Sequence, residues 1–240
     1  MIPKKIHYCW FGRGEMPELA LNCINSWKKY LPDYELVLWN EDTFDVNSNQ
    51  YVKEAYEAKK YAFVTDYVRL YALYHYGGVY MDTDVEVVRP IDKFLLHRAF
   101  TGCENEEMCV TGIMASEANH SWIKELLSYY NDRPFILSDG SYDKTTNTKS
   151  ITYITIDKYG WVPRNNHQVL REDLNIYPFD FFCAKSFETG QIKSTKNTYT
   201  IHHFSGSWHT KSDKIKRNII KLLGPKNTMA LRSLKKKILG

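Results

Sequence analysis

A chain of 240 residues with 43% apolar side chains suffices for one globular domain, with or without an appendage. Its five cysteines (Cys9, Cys23, Cys103, Cys109, Cys183) are odd in number and contain no Cys-x-x-Cys pair, which argues against a disulfide framework or zinc ribbon and for a reducing compartment. No signal-peptide core follows Met1-Ile2-Pro3-Lys4-Lys5 and no long apolar run occurs, so the expected location is cytoplasmic. The net charge of +4 is uneven: residues 211–240 contribute +9 and the remainder −5.

In chain order, Lys5-Ile6-His7-Tyr8-Cys9-Trp10-Phe11 reads as a buried first strand stopped by Gly12. Residues 18–30 carry Leu19, Cys23, Ile24 and Trp27 at helical spacing, and residues 34–39 alternate as a second strand, a βαβ opening. Residues 51–76 predict one long helix whose stripe of Phe63, Tyr67, Leu70 and Tyr74 is widened by Val64, Val68 and Tyr71 until little polar surface is left. A helix apolar on most sides is a buried one. Asp66 and Arg69 interrupt it three residues apart, so they share a face. Either they form a structural ion pair or they face a polar ligand, because charges on a buried helix need partners.

Gly77-Gly78 then caps that helix. Val79-Tyr80-Met81 predicts a short strand, and Asp82-Thr83-Asp84 follows it. Side chains two apart on an extended chain leave on one side. Asp82 and Asp84 can therefore reach one hard cation, with coordination positions left for the oxygens of a diphosphate. Asp-x-Asp alone is common, and read without its surroundings the stretch is first an acidic turn after a strand. Further on, two short strands are expected within residues 100–114, a helix over 121–130, a polar loop and candidate lid over 131–150, and a strand at Ile151 to Ile156. The segment from Ile176 to Phe182 is too broken by Pro178 for a central strand. Tyr199-Thr200-Ile201 leads into His202-His203-Phe204-Ser205-Gly206-Ser207-Trp208.

Three of these segments, in this order, resemble glycosyltransferase family 32: Ile6-His7-Tyr8-Cys9-Trp10-Phe11-Gly12; Asp66-x-x-Arg69 with Gly77-Gly78-Val79-Tyr80-Met81-Asp82-Thr83-Asp84; and His202 to Trp208. That family includes bacterial capsule and lipopolysaccharide transferases and is related to the clostridial glucosylating toxins. The resemblance implies a GT-A fold, an α/β Rossmann-like sandwich with a mostly parallel central sheet flanked by helices, over residues 1–210. It implies a metal-dependent enzyme that moves a hexose from a nucleoside diphosphate sugar, expected to be a UDP-sugar, to a saccharide or lipid-linked oligosaccharide acceptor, with retention. Trp10 would stack on the donor base, and stacking of this kind contributes about 1–3 kcal/mol. Asp66 and Arg69 would hold the donor sugar's hydroxyls, Asp82 would lie between ribose and metal, and Asp84 would bind Mn2+ or Mg2+ directly. In related transferases a late His-x-x-Gly supplies an imidazole to the same metal. His203 fits that spacing and is favoured over its neighbour His202. Ser205 or Ser207, with Trp208 and a cation such as His209 or Lys211, would close over the diphosphate.

Two rivals remain. A haloacid-dehalogenase-type phosphohydrolase also places Asp-x-Asp after a strand, but needs a later pair of acids on a loop and a lysine, and no Asp-Asp or Gly-rich acidic pair follows in this chain. A non-catalytic nucleotide-sugar-binding module would not need a leaving-group metal. The tail, residues 211–240, sets Ile215, Ile219, Leu222 and Leu223 among Lys214, Lys216, Arg217 and Lys221. Basic amphipathic segments bind anionic membrane surfaces, so a peripheral anchor at the inner face of the cell membrane is expected. Nucleic acid is not an expected partner.

Overall fold

The first apolar run folds as β1 (Lys5–Cys9), and the amphipathic run after it as α1 (Glu18–Tyr30), which returns the chain to β2 (Glu35–Trp39). β2 pairs with β1 in parallel, as the βαβ opening predicts. A computed structural model describes residues 1–206 of the chain. The tail over 211–240 therefore lies outside the described residues.

The expected long helix is instead two, α2 (Gln50–Glu57) and α3 (Tyr61–Tyr76). The break falls at Lys59, whose φ of 56° is left-handed and cannot continue a right-handed helix. Asn49 caps α2 through its side-chain oxygen. β3 (Gly78–Met81) then runs parallel to β1. Next come β4 (Val85–Val87), β5 (Ala99–Cys103), β6 (Cys109–Ser116) and α4 (Ser121–Ser128). The chain closes through α5 (Asn147–Tyr159), β7 (Gln168–Val169), β8 (Leu174–Tyr177), α6 (Phe179–Phe182) and β9 (Thr200–His202).

Two expectations are corrected here. Ile151 to Ile156 is not a strand but the middle of α5. Its β-branched run suggested a strand, yet the Thr155 hydroxyl donates to the Ile151 carbonyl one turn back and accepts from the Trp122 indole, so tertiary packing overrides local propensity. The segment after residue 174 does contain an inner strand: β8 lies between β5 and β7. Pro178 ends it rather than interrupting it.

The main sheet has seven strands in the order β2-β1-β3-β6-β5-β8-β7. β6 and β7 run against the other strands, so the mostly parallel sheet expected of the α/β sandwich is the one observed. β4 and β9 make a separate antiparallel pair. One face of the sheet is covered by α2 to α5, the other by α1, α6 and the β4–β9 pair, and residues of β3 alternate between the two cores. All five cysteines are buried free thiols. No helix among the described residues is long and apolar enough to cross a membrane.

β3 carries the acidic motif, and its entry is tightly specified. Gly78 has φ 111°, and a Cβ there would stand 2.8 Å from the Lys5 carbonyl of β1. His7 is buried in β1, its Nε2 donating to the Gly77 carbonyl at 2.8 Å while its Nδ1 accepts from the Trp39 indole at 3.1 Å. One imidazole thus ties β2, β1 and the glycine turn together. Gly78→Ala should cost at least about 1–3 kcal/mol from backbone strain alone, read by urea unfolding; a loss below about 0.5 kcal/mol, the range of neutral surface changes, would contradict this account of the turn.

Candidate functional site

β1 and β3 are parallel neighbours, so their C-terminal ends open on the same edge of the sheet, and the site is built there. The Asp82 N–H donates to the Gly112 carbonyl of β6 at 2.8 Å, and the Val85 N–H closes back on the Asp82 carbonyl at 2.9 Å. The two aspartates therefore sit in a tight turn and not, as expected, on an extended chain. They converge all the same. Ligand atoms of Asp82, Asp84 and His202 all lie within 4.8 Å of one another.

His202 ends β9, which the pairing of Val85 with His202 sets directly beside the turn. Its Nε2 is 3.2 Å from an Asp84 oxygen and 3.9 Å from an Asp82 oxygen. The Ser205 N–H donates to the other Asp84 oxygen at 2.7 Å, and the His203 N–H to the Asp84 carbonyl at 2.9 Å. Burial works to raise the Asp84 pKa. The His202 imidazolium and the hydrogen bonds from His202 and Ser205 outweigh it and hold the carboxyl well below the usual range. Burial likewise opposes charge on His202, but Asp84 outweighs it and the imidazole titrates well above its ordinary value.

Behind the turn, α3 supplies Asp66 and Arg69. Arg69 is buried and stands 3.2 Å from Asp66 and 3.3 Å from Asp82. Its guanidinium lies 4.5 Å from the Tyr80 ring centroid, and the Tyr80 hydroxyl donates to Asp82 at 2.7 Å. Arg69 thus serves both carboxylates. An arginine suits this bridging because its fork presents several fixed donors and stays charged when buried. Asp66 is not fully neutralised by it: burial outweighs Arg69, and Asp82 adds repulsion, so its pKa is pushed up to about 7.

The structure brings together Asp66, Arg69, Asp82, Asp84 and the Ser205 backbone. It does not bring His203 to the carboxylates. The His203 side chain points to the opposite side of its strand and meets Glu86 at 2.8 Å, so His202 is the imidazole at the cluster, a correction of the expected choice. Trp10 is half-buried just past β1, its indole N–H donating to the Gly14 carbonyl at 2.6 Å. The loop it begins is tied to the β2–α2 loop, because Glu41 accepts from the Gly12 N–H at 2.6 Å and from the Tyr56 hydroxyl at 3.1 Å. Ser207, Trp208, His209 and Lys211 lie outside the described residues. Sequence reasoning missed Tyr80, which a period of two from Asp82 would have found. It also missed Glu104, a half-buried carboxyl whose pKa burial raises and His202 in part lowers, for which no local pattern exists.

Residues 17–101 match the family model described as glycosyltransferase sugar-binding region containing DXD motif. The matched region holds Asp66, Arg69, Asp82 and Asp84 and stops short of His202. The chain is 29% identical over 130 residues to inositol phosphoceramide mannosyltransferase 3 of Schizosaccharomyces pombe, covering 52% of this chain and 36% of that protein. It is 31% identical over 110 residues to inositol phosphoceramide mannosyltransferase 1 of the same yeast, covering 41% and 33%. It is 27% identical over 153 residues to subversion of eukaryotic traffic protein A of Legionella pneumophila, covering 49% and 23%. The chain thus spans about a third or less of the length of these relatives. Among solved structures it is similar to the PaToxG glycosyltransferase, with a TM-score of 0.48 and 18% identity over 65% of this chain and 69% of that one.

The displaced Asp66 titration has a signed consequence. Between its ordinary value of 3.8 and about 7, the unfolded chain has released the proton that the folded chain retains. Stability must therefore fall as pH rises through that window. In chelator, Asp66→Asn should remove this contribution, so that urea midpoints of wild type decline relative to the variant from about pH 4 to about pH 7. Parallel profiles would refute the assignment.

Proposed function

We propose that the chain is a metal-dependent hexosyltransferase. It takes a nucleoside diphosphate sugar as donor and a saccharide or lipid-linked oligosaccharide as acceptor, and retains the anomeric configuration. The observation that carries this is the convergence of Asp82, Asp84 and His202 on a turn whose acidic half lies within the matched sugar-binding region.

The cluster fits a divalent cation. Cis ligands around a small divalent ion stand roughly 3 Å apart at bond lengths near 2.1 Å, and the Asp84 to His202 separation of 3.2 Å is already of that size. Two carboxylates and one imidazole suit Mn2+, with Mg2+ second because it favours all-oxygen shells. Three protein ligands leave positions for diphosphate oxygens. The cation would supply Lewis-acid stabilisation of the leaving diphosphate. The chain's own part is to orient: Arg69 holds Asp82 and Asp66 in fixed positions, and Asp66 is the acceptor for donor-sugar hydroxyls. Trp10 is the proposed base platform. Ser205, Ser207, Trp208 and Lys211 are the proposed contacts to the diphosphate. The phosphohydrolase reading needs Asp82 free as a nucleophile, whereas its Oδ1 takes the Tyr80 hydroxyl and lies 3.3 Å from Arg69.

The donor is a UDP- or GDP-hexose, with UDP-sugars first by resemblance and mannose included because several relatives are named mannosyltransferases. The protein would act in the cytoplasm, with the 211–240 tail resting on the inner face of the membrane, and its product would enter surface polysaccharide.

A screen of UDP- and GDP-hexoses with Mn2+, following nucleotide release against a chelator control, tests the reading. Asp84→Ala should abolish metal-dependent release while the protein still folds and melts cooperatively. His202→Ala should weaken Mn2+ binding by at least about tenfold, since even outer partners of a metal ligand carry that much. His203→Ala should stay within about threefold, well under that effect. Equal losses in the two histidine variants, or turnover unchanged in Asp84→Ala, would remove the metal site from this place.

A further inference from the structure

We infer that Gly112 is the positioning residue of the metal centre: β6 leaves an empty slot there, and the His202 imidazole fills it. This rests on the metal reading of Asp82, Asp84 and His202. A Cβ built on Gly112 would stand 2.8 Å from His202 Nδ1 and 3.1 Å from both Cε1 and Cγ. Real side chains do not approach that closely, so any residue but glycine displaces the ring. Nε2 sits on the far side of the same ring, at 3.2 Å from Asp84. Displacement of the ring is therefore displacement of the ligand atom.

The backbone itself does not ask for glycine at this position. Gly112 is not among the glycines with positive φ, and glycine within a strand weakens it. What it provides is space for His202. The same residue also fixes the acidic turn, since its carbonyl accepts the Asp82 N–H at 2.8 Å. Across the imidazole stands Phe204, with ring centroids 4.1 Å apart and planes at 32°, held in a left-handed backbone conformation at φ 54°. A bulky residue in that region is a strained one, and such strain persists where the surroundings over-determine it. The imidazole is thus confined between a bare strand and an aromatic ring. The Nδ1 atom is buried and has no hydrogen bond among the described residues. The Cys183 thiol also interacts with the imidazole. Packing against β6 and Phe204 positions the ring, and that is why the floor of the slot matters.

Gly102 serves as a control. A Cβ there would meet Phe182 Cδ2 at 3.1 Å, a packing contact away from the carboxylates.

The experiment is a double-mutant cycle on the full chain. Mn2+ affinity is measured by electron paramagnetic resonance, and melts in chelator are measured alongside. Gly112→Ala should weaken Mn2+ binding by about tenfold or more and lower the melt, while Gly102→Ala leaves Mn2+ affinity unchanged. In a His202→Ala background the slot is empty, so adding Gly112→Ala should cost neither affinity nor melting temperature. If Gly112→Ala does not fold alone, the double variant should fold, because the clash has been removed. Wild-type Mn2+ affinity in Gly112→Ala, or an equal penalty with and without His202, would overturn the inference. A wild type that binds no Mn2+ would instead defeat the metal reading, and the melt cycle would still decide whether His202 occupies the slot.

Discussion

The site depends on a contact between parts of the chain 121 positions apart, the grip of the β9 end on Asp84. Asp84 alone is a carboxylate in an exposed-looking turn. With His202 on one oxygen and the Ser205 N–H on the other, it becomes a half-buried, ionised, geometrically fixed acceptor. The β4–β9 pair exists to make that contact. Its short register, Val85 with His202 to Val87 with Thr200, is held against α1 through the Trp27 indole bond to the Val85 carbonyl and the Ser26 hydroxyl at the Val87 N–H. The helix of the opening βαβ unit thereby supports the far end of the chain against the acidic turn.

A second set of charges backs the first. Among the described residues, Asp66, Asp82 and Asp84 face Arg69 and His202 as cations. That balance is close while His202 keeps its proton. A divalent ion on Nε2 would have to displace that proton, so the proposed metal binding would exchange one cation for another. Arg69 cannot make such an exchange, which suits it to a structural and orienting part. His202 can, which suits it to ligation.

Much of this was legible in residue order. Helix α1 has its expected limits, the opening βαβ unit follows from periodicity, and the acidic motif converges with Asp66 and Arg69, though through a tight turn and not an extended chain. The errors share a cause. His202 and His203 are adjacent on a strand, so choosing between them means knowing which face meets Asp84, and only the partner strand decides that. Similarly, Ile151 to Ile156 has strand-forming residues, and only the packing of Thr155 under Trp122 makes it a helix. Gly112 carries no motif at all. Its meaning lies in the ring pressed against it from a strand ninety residues later in the fold.

The central claim is that one divalent ion is held by this chain through His202 and presents free positions to a nucleoside diphosphate. Pulsed electron paramagnetic resonance of the Mn2+-loaded protein with UDP or GDP tests it most directly. The account predicts an imidazole nitrogen coupling that vanishes in His202→Ala, together with a phosphorus coupling that appears with the nucleotide. Bound Mn2+ showing neither coupling would contradict it.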